Sequence, residues 1–176
     1  GGMGLILCQW ARALGATIVG TVSTQEKAEV AKAAGCHFPV VRSEKSFVEV
    51  VREVTNNEGC AVVYEAIGKD TLQDSLDTLR PMGICAAYGH VSGPPDPVDI
   101  IQDLGRRGSL FITRPAIMHY VAKRADLEWT ARDLFKAKGD KIISANINYE
   151  YELKDAVQAH TAIESGKTLG ASVLIP

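Results

Sequence analysis

Gly1-Gly2-Met3-Gly4-Leu5-Ile6-Leu7-Cys8-Gln9-Trp10-Ala11-Arg12-Ala13-Leu14-Gly15, followed by the β-branched run 16–22, decides the fold. Three glycines lead into an apolar helical pattern carried by Leu5, Ile6, Trp10 and Leu14. A glycine turn that opens a helix is how α/β proteins seat a dinucleotide pyrophosphate. The missing side chains let backbone N–H groups approach the phosphates, and the helix N-terminus adds partial positive charge. The motif normally follows a strand, but this sequence begins inside the turn. The expectation is a sheet whose first strand is missing from the chain, either because a longer protein continues before Gly1 or because that strand was removed.

Outward from this stretch, helix and strand patterns alternate. Residues 24–34 read as a helix with Thr24 as N-cap and Gly35 just past its end. A short strand near 37–41 follows, then a helix striped by Phe47, Val50, Val51 and Val54. Residues 60–64 are a continuous apolar run, the pattern of a parallel strand buried on both faces. Leu72, Leu76 and Leu79 stripe the next helix, and Pro81 and Gly83 mark a turn before a strand at 84–88. Residues 89–97 hold two glycines and three prolines and form a loop. A short helix near 98–104 and a strand at 109–113 complete the series. Such alternation implies βαβ crossovers and a parallel sheet. After Arg114-Pro115 the pattern changes to a long helical stretch at 117–137, a strand near 147–151, a helix bearing Leu153, Ala156, Val157 and His160, and a last strand at 171–175.

The bulk properties agree with a globular α/β chain. Its 176 residues support one ordinary domain, or one domain plus a piece of another, and 46% apolar and 23% charged content are globular values. A net charge of −2 gives no reason to expect nucleic acid or an anionic membrane as the main partner. No apolar run approaches the ~20 residues of a membrane helix. Cys8, Cys36, Cys60 and Cys85 are widely spaced without a Cys-x-x-Cys; Cys8 and Cys85, in apolar surroundings, read as core thiols, and a reducing, cytoplasmic setting fits. No zinc-ligand spacing occurs.

Specificity is read at the end of the second strand. NAD-binding folds place an acidic residue about 20 positions past the turn, where it bonds the ribose hydroxyls. Here that place reads Thr21-Val22-Ser23-Thr24-Gln25, and Lys27 follows one helical turn later. Hydroxyls bond a 2′-phosphate and a lysine neutralises it, which argues for NADPH over NADH. Glu26 is a counter-signal, and Arg42, after the third strand, is a second phosphate candidate. Tyr88, Gly89 and His90 leave the carboxyl end of the 84–88 strand, where ligands of open parallel sheets sit. His90 is read as a hydrogen-bonding group on the nicotinamide side rather than as an acid or base.

Beyond the glycine turn, the stretches Gln9-Trp10-Ala11-Arg12, Gly20-Thr21-Val22-Ser23-Thr24, Lys27-Ala28, Val63-Tyr64-Glu65, Gly68-Lys69-Asp70-Thr71, Tyr88-Gly89 and Thr113-Arg114-Pro115 carry a likeness over the whole chain. The sequence resembles NADPH:quinone oxidoreductases, the zeta-crystallin-like branch of the medium-chain dehydrogenase/reductases. The resemblance implies an α/β Rossmann-type doubly wound parallel sheet over residues 1–115, and a segment 116–176 that returns to a catalytic domain absent from the chain. It implies a zinc-free subunit, a homodimer joined at the last sheet strand, and Gly1, Gly2, Met3 and Gly4 at the pyrophosphate. It places Lys27 on the 2′-phosphate. Arg42 stands where the family often has a tyrosine, and Gly166 where it often has an arginine, with Lys167 next door.

The reading is therefore an enzyme portion that positions NADPH for hydride transfer to a quinone or similar electron-poor acceptor. No residue of the chain is assigned as acid, base or nucleophile, and none as a metal ligand. A dinucleotide-binding or structural module without turnover is the rival. A methyl-donor-dependent transferase is a more distant one, disfavoured by Ser23-Thr24 where that fold wants an acid.

Overall fold

The structure is a computed structural model that describes residues 1–166 and 168–176; the expectation for Lys167 lies outside the described residues. In chain order the elements are α1 (Gly2–Ala13), β1 (Val19–Val22), α2 (Gln25–Ala33), β2 (Phe38–Val41), α3 (Phe47–Val54), β3 (Cys60–Glu65), α4 (Leu72–Asp77), β4 (Leu79–Ala87), a π-helical turn (Ile100–Gly105), β5 (Phe111–Thr113), α5 (Ile117–Tyr120), α6 (Arg124–Gly139), β6 (Ile147–Glu152), α7 (Ala156–Glu164) and β7 (Ala171–Ile175). Among the described residues every strand pairing is parallel. Strands alternating with helices in parallel register are the α/β, Rossmann-type architecture that the glycine turn led us to expect.

The chain divides into two compact units. One comprises Gly1–Glu44 with Ala131–Pro176, the other Lys45–Thr130.

In the first unit, β1 and β2 pair with Val19 opposite Phe38 and Val22 opposite Val41, so their carboxyl ends finish level. The α2 helix starts where Thr24 accepts a hydrogen bond from the Lys27 N–H at 3.3 Å. Glu26 in its first turn and Lys32 in its last complement the helix dipole. Ala28 and Ala31 face inward with Cys36, Val40 and Val41, all buried. The second stretch of this unit is a βαβ crossover, β6–α7–β7. Gln9 ties it to α1: its side-chain amide donates to the Ser144 carbonyl at 3.1 Å and accepts from the Ser144 N–H at 2.7 Å.

The second unit carries a three-stranded sheet in the order β3-β4-β5. Leu72, Leu76, Leu79, Cys85 and Leu110 form its core. Ser46 caps α3 through the Glu49 N–H, and the Val50 and Val51 stripe is buried. Glu65 pairs with Ala87, so the carboxyl ends of β3 and β4 are also level.

Four expectations are corrected. Leu79 belongs to β4, not to the α4 stripe. It pairs with Cys60, and the register then shifts before Val62 meets Ile84. Pro81, Met82 (φ 59°) and Gly83 therefore lie within the irregular start of a strand rather than in a turn preceding it. The 117–137 helical stretch is broken after Tyr120, where Val121 caps α5 outside helical geometry (ψ 20°), and α6 starts afresh at Arg124. Finally, β3 is not covered on both faces: Val62 is 43% and Tyr64 61% exposed.

Candidate functional site

At the start of α1, Gly1 is the N-cap and the first turn bears no acid. The leading N–H groups of any helix have no intrahelical partner. A Cβ added to Gly1 or Gly4 would meet nothing within 4 Å, whereas one on Gly2 would touch Gly170 and Ala171 at 3.6–3.8 Å. The turn is thus open at Gly1 and Gly4. Met3 is 61% exposed there.

Lys27 lies beside this turn, near enough for its charge to act at Gly1. The Lys27 ammonium donates to the Gly166 carbonyl at 2.6 Å. One of its three N–H donors is used there, and two remain for an anion. Ser23 is exposed at the end of β1, and the Arg42 N–H donates to the Val22 carbonyl at 3.1 Å. That bond brings Ser23 and Arg42 to one sheet edge, with both side chains exposed. The same edge carries Glu44, which accepts a 2.6 Å bond from Gln25. Residues 20–25 hold no acid. The glycine mouth, the half-buried lysine and the exposed serine and arginine fit a dinucleotide with a 2′-phosphate.

In the second unit, Tyr88, Gly89 and His90 follow β4. The Tyr88 and Gly89 N–H groups both donate to the Glu65 carbonyl, at 2.9 and 3.2 Å. A Cβ on Gly89 would collide with the Ala66 carbonyl oxygen and sit 2.8 Å from its Cα, so only glycine fits. The His90 side chain is exposed. Burial, and secondarily the Glu65 carboxylate, raise the Tyr88 phenol pKa, so it stays protonated at neutral pH. The Arg114 guanidinium donates to the Tyr88 carbonyl at 2.6 Å and to its neighbour Pro115 at 3.3 Å. The expected site residues therefore gather in two groups, one in each unit.

Two residues of these edges were not singled out as site candidates from the sequence. Glu65 is 3% exposed and accepts bonds from four groups of its own unit. Arg114 braces the Tyr88 backbone. For Glu65 the available signal was an acid ending an apolar strand, followed by Gly68, Thr71 and Ser75. For Arg114 it was a cation just past β5.

All four cysteines are free thiols. A hydrogen bond from Cys36 holds the Cys8 thiol down to about 7, against the effect of burial, and the same contact with burial pushes Cys36 up. Burial, then Glu65, pushes Cys85 up to about 11. Among the described residues, no three His, Cys, Asp or Glu side chains converge as a metal site, and no helix is long and apolar enough to cross a membrane.

The chain is similar to known proteins along its whole length. Residues 2–120 match the family described as zinc-binding dehydrogenase. The 2-haloacrylate reductase of Burkholderia sp. is 51% identical over all of this chain, covering 53% of that protein. Quinone oxidoreductase 1 of Escherichia coli strain K12 is 39% identical, again over all of this chain and 54% of its own length. The crystal structure of Escherichia coli quinone oxidoreductase complexed with NADPH superposes with a TM-score of 0.94 at 39% identity, over all of this chain and 54% of that one. The chain thus spans about half the length of the relatives it matches.

Proposed function

The chain belongs to the zinc-binding dehydrogenase family, and we propose that it is the cofactor-binding part of an NADPH-dependent oxidoreductase that reduces a quinone or a similar electron-poor acceptor. The observation that carries this reading is Lys27, half-buried beside an acid-free β1 end and next to the glycine mouth of α1. Reduced nicotinamide, when bound, supplies the hydride. The chain's own residues do the holding. Gly1, Gly2, Met3 and Gly4 receive the pyrophosphate, Lys27, Ser23 and Arg42 the 2′-phosphate, with Lys167 as a further candidate, and Tyr88, Gly89 and His90 the nicotinamide side.

On this reading residues 1–115 are cofactor domain and 116–176 return to a catalytic domain. The enzyme works without zinc, as in the branch that the sequence resembles. It is cytoplasmic, which the four free thiols support. It is a homodimer joined at β5, a short strand whose Phe111 is 60% exposed, since an open apolar edge of this kind pairs with another chain.

A second acceptor class has its own support. The 2-haloacrylate reductase is more similar to this chain than quinone oxidoreductase 1, at 51% against 39% identity. Both acceptors take hydride at an electron-poor carbon or oxygen, so one cofactor site serves either. The test is NADPH oxidation by the full-length protein with a soluble benzoquinone and with a 2-haloacrylate, each with and without a chelator. Turnover with benzoquinone that survives chelation is expected. Turnover with the haloacrylate alone would move the acceptor to that class. Loss on chelation, restored by zinc, would overturn the zinc-free assignment.

A further inference from the structure

Glu65 ends β3 with its carboxylate buried, 3% exposed. One carboxylate oxygen accepts from the Ile67 N–H at 2.6 Å, the Gly68 N–H at 3.1 Å and the Thr71 hydroxyl at 3.0 Å. The other accepts from the Ser75 hydroxyl at 2.5 Å and shares the Thr71 hydroxyl at 3.0 Å. All these partners lie on one short stretch, the β3–α4 loop and α4 itself. None is a cation. A buried carboxylate without a counter-charge is costly unless its lone pairs are filled. Here they are filled by the groups that shape the loop.

The same residue also holds the neighbouring loop. Its backbone carbonyl takes the Tyr88 and Gly89 N–H groups. From there the two loops are bonded rung by rung. The Val91 N–H donates to Ala66 O at 3.2 Å, Ser92 N–H to Ile67 O at 2.8 Å and Lys69 N–H to Gly93 O at 3.1 Å. The Ser92 hydroxyl donates to Ile67 O at 2.9 Å and accepts from the Asp70 N–H at 3.0 Å. Gly68, at φ 93°, lies so close to His90 that an added Cβ would be 2.9 Å from its Cα. The two loops are one platform at the carboxyl ends of β3 and β4, the end of a parallel sheet where ligands bind.

We propose that Glu65 is a positioning residue: as a carboxylate it fixes the 65–71 loop, and through it Tyr88, Gly89 and His90, in the geometry that aims the nicotinamide at the acceptor. This rests on the proposed NADPH-dependent activity. Glu65 touches neither cofactor nor acceptor in this account. It acts through the loop amides, and a shift of the reacting atoms by about 1 Å costs on the order of a hundredfold in rate. A glutamine of the same shape brings an NH2 group to a place surrounded by donors, so one side of the carboxylate's bonds must open.

The test uses full-length Glu65→Gln and Glu65→Asp, measuring kcat per folded site, NADPH affinity, and the affinity of 2′-phospho-ADP-ribose, which lacks nicotinamide. E65Q is expected to lower kcat by about ten- to a hundredfold while 2′-phospho-ADP-ribose binds within about twofold of the parent. E65D, which keeps the charge, recovers part of kcat. An unchanged kcat with only a lower melting temperature would make Glu65 purely structural and overturn the proposal. An equal loss of 2′-phospho-ADP-ribose binding would overturn it too. If E65Q does not fold, Ser75→Ala and Thr71→Val each remove one donor. They should show a smaller kcat loss of the same kind, and no loss contradicts the proposal. An inactive parent enzyme would sink the proposed activity instead. The loop-fixing claim would then be read by amide exchange, which must quicken in both 65–71 and 88–93 in E65Q; unchanged exchange overturns it.

Discussion

Replacing Lys27 by alanine in the full-length protein is expected to weaken NADPH binding by roughly 1.4–2.7 kcal/mol, between about tenfold and a hundredfold, and to leave NADH within about twofold. The asymmetry follows from geometry. Lys27 sits one helical turn past the end of β1, with Ser23 and Arg42 on the same edge. Its ammonium is already oriented by the Gly166 carbonyl at 2.6 Å, so little side-chain freedom is lost when a phosphate arrives. Only NADPH carries a group for the two remaining donors. The lost Gly166 bond affects both cofactors equally and cancels in the comparison. Isothermal titration of the variant with each cofactor checks this. A matching loss for NADH would mean that Lys27 serves the fold rather than the phosphate.

The second large effect is expected at Gly89. An alanine there cannot be accommodated by rotating a side chain, because the atoms it meets are the Ala66 carbonyl oxygen, Cα and carbonyl carbon, all backbone. Either the 88–93 turn leaves the 66–70 loop or β3 shifts. Overpacking of this kind costs typically 1–3 kcal/mol, and a clash with backbone alone puts G89A at about 3 kcal/mol. Turnover should fall with it, because the turn that carries Tyr88 and His90 moves. Denaturant unfolding of the full-length variant, with kcat measured well below its transition, checks both parts. A G89A protein with parental stability and kcat would show that the two loops need not touch.

Much of this was legible from local pattern. The α3 stripe, the Thr24 cap and the apolar run of β3 each announce their element, because periodicity and capping act within a few residues. The glycine opening of α1 was legible for the same reason. What escaped depends on distance in sequence. The Gly166 carbonyl that orients Lys27 is 139 residues away, and no local pattern carries it. Glu65 looked like a polar end to a strand. Its burial depends on Thr71 and Ser75 turning back over it, which is a property of the folded loop. The irregular start of β4 was hidden because Pro81 and Gly83 are turn residues by propensity. Pairing with β3 overrides that preference and absorbs the extra residues as a register shift. Nothing between Ile117 and Arg124 is glycine or proline, so the break before α6 left no mark in composition.

The central claim is that this chain selects NADPH through a cation and an acid-free strand end. The most direct measurement is the dissociation constant of the full-length parent protein for NADPH and for NADH under one set of conditions. The account predicts NADPH tighter by at least about tenfold, the value of one charge-assisted contact. Equal constants, or tighter binding of NADH, would contradict it.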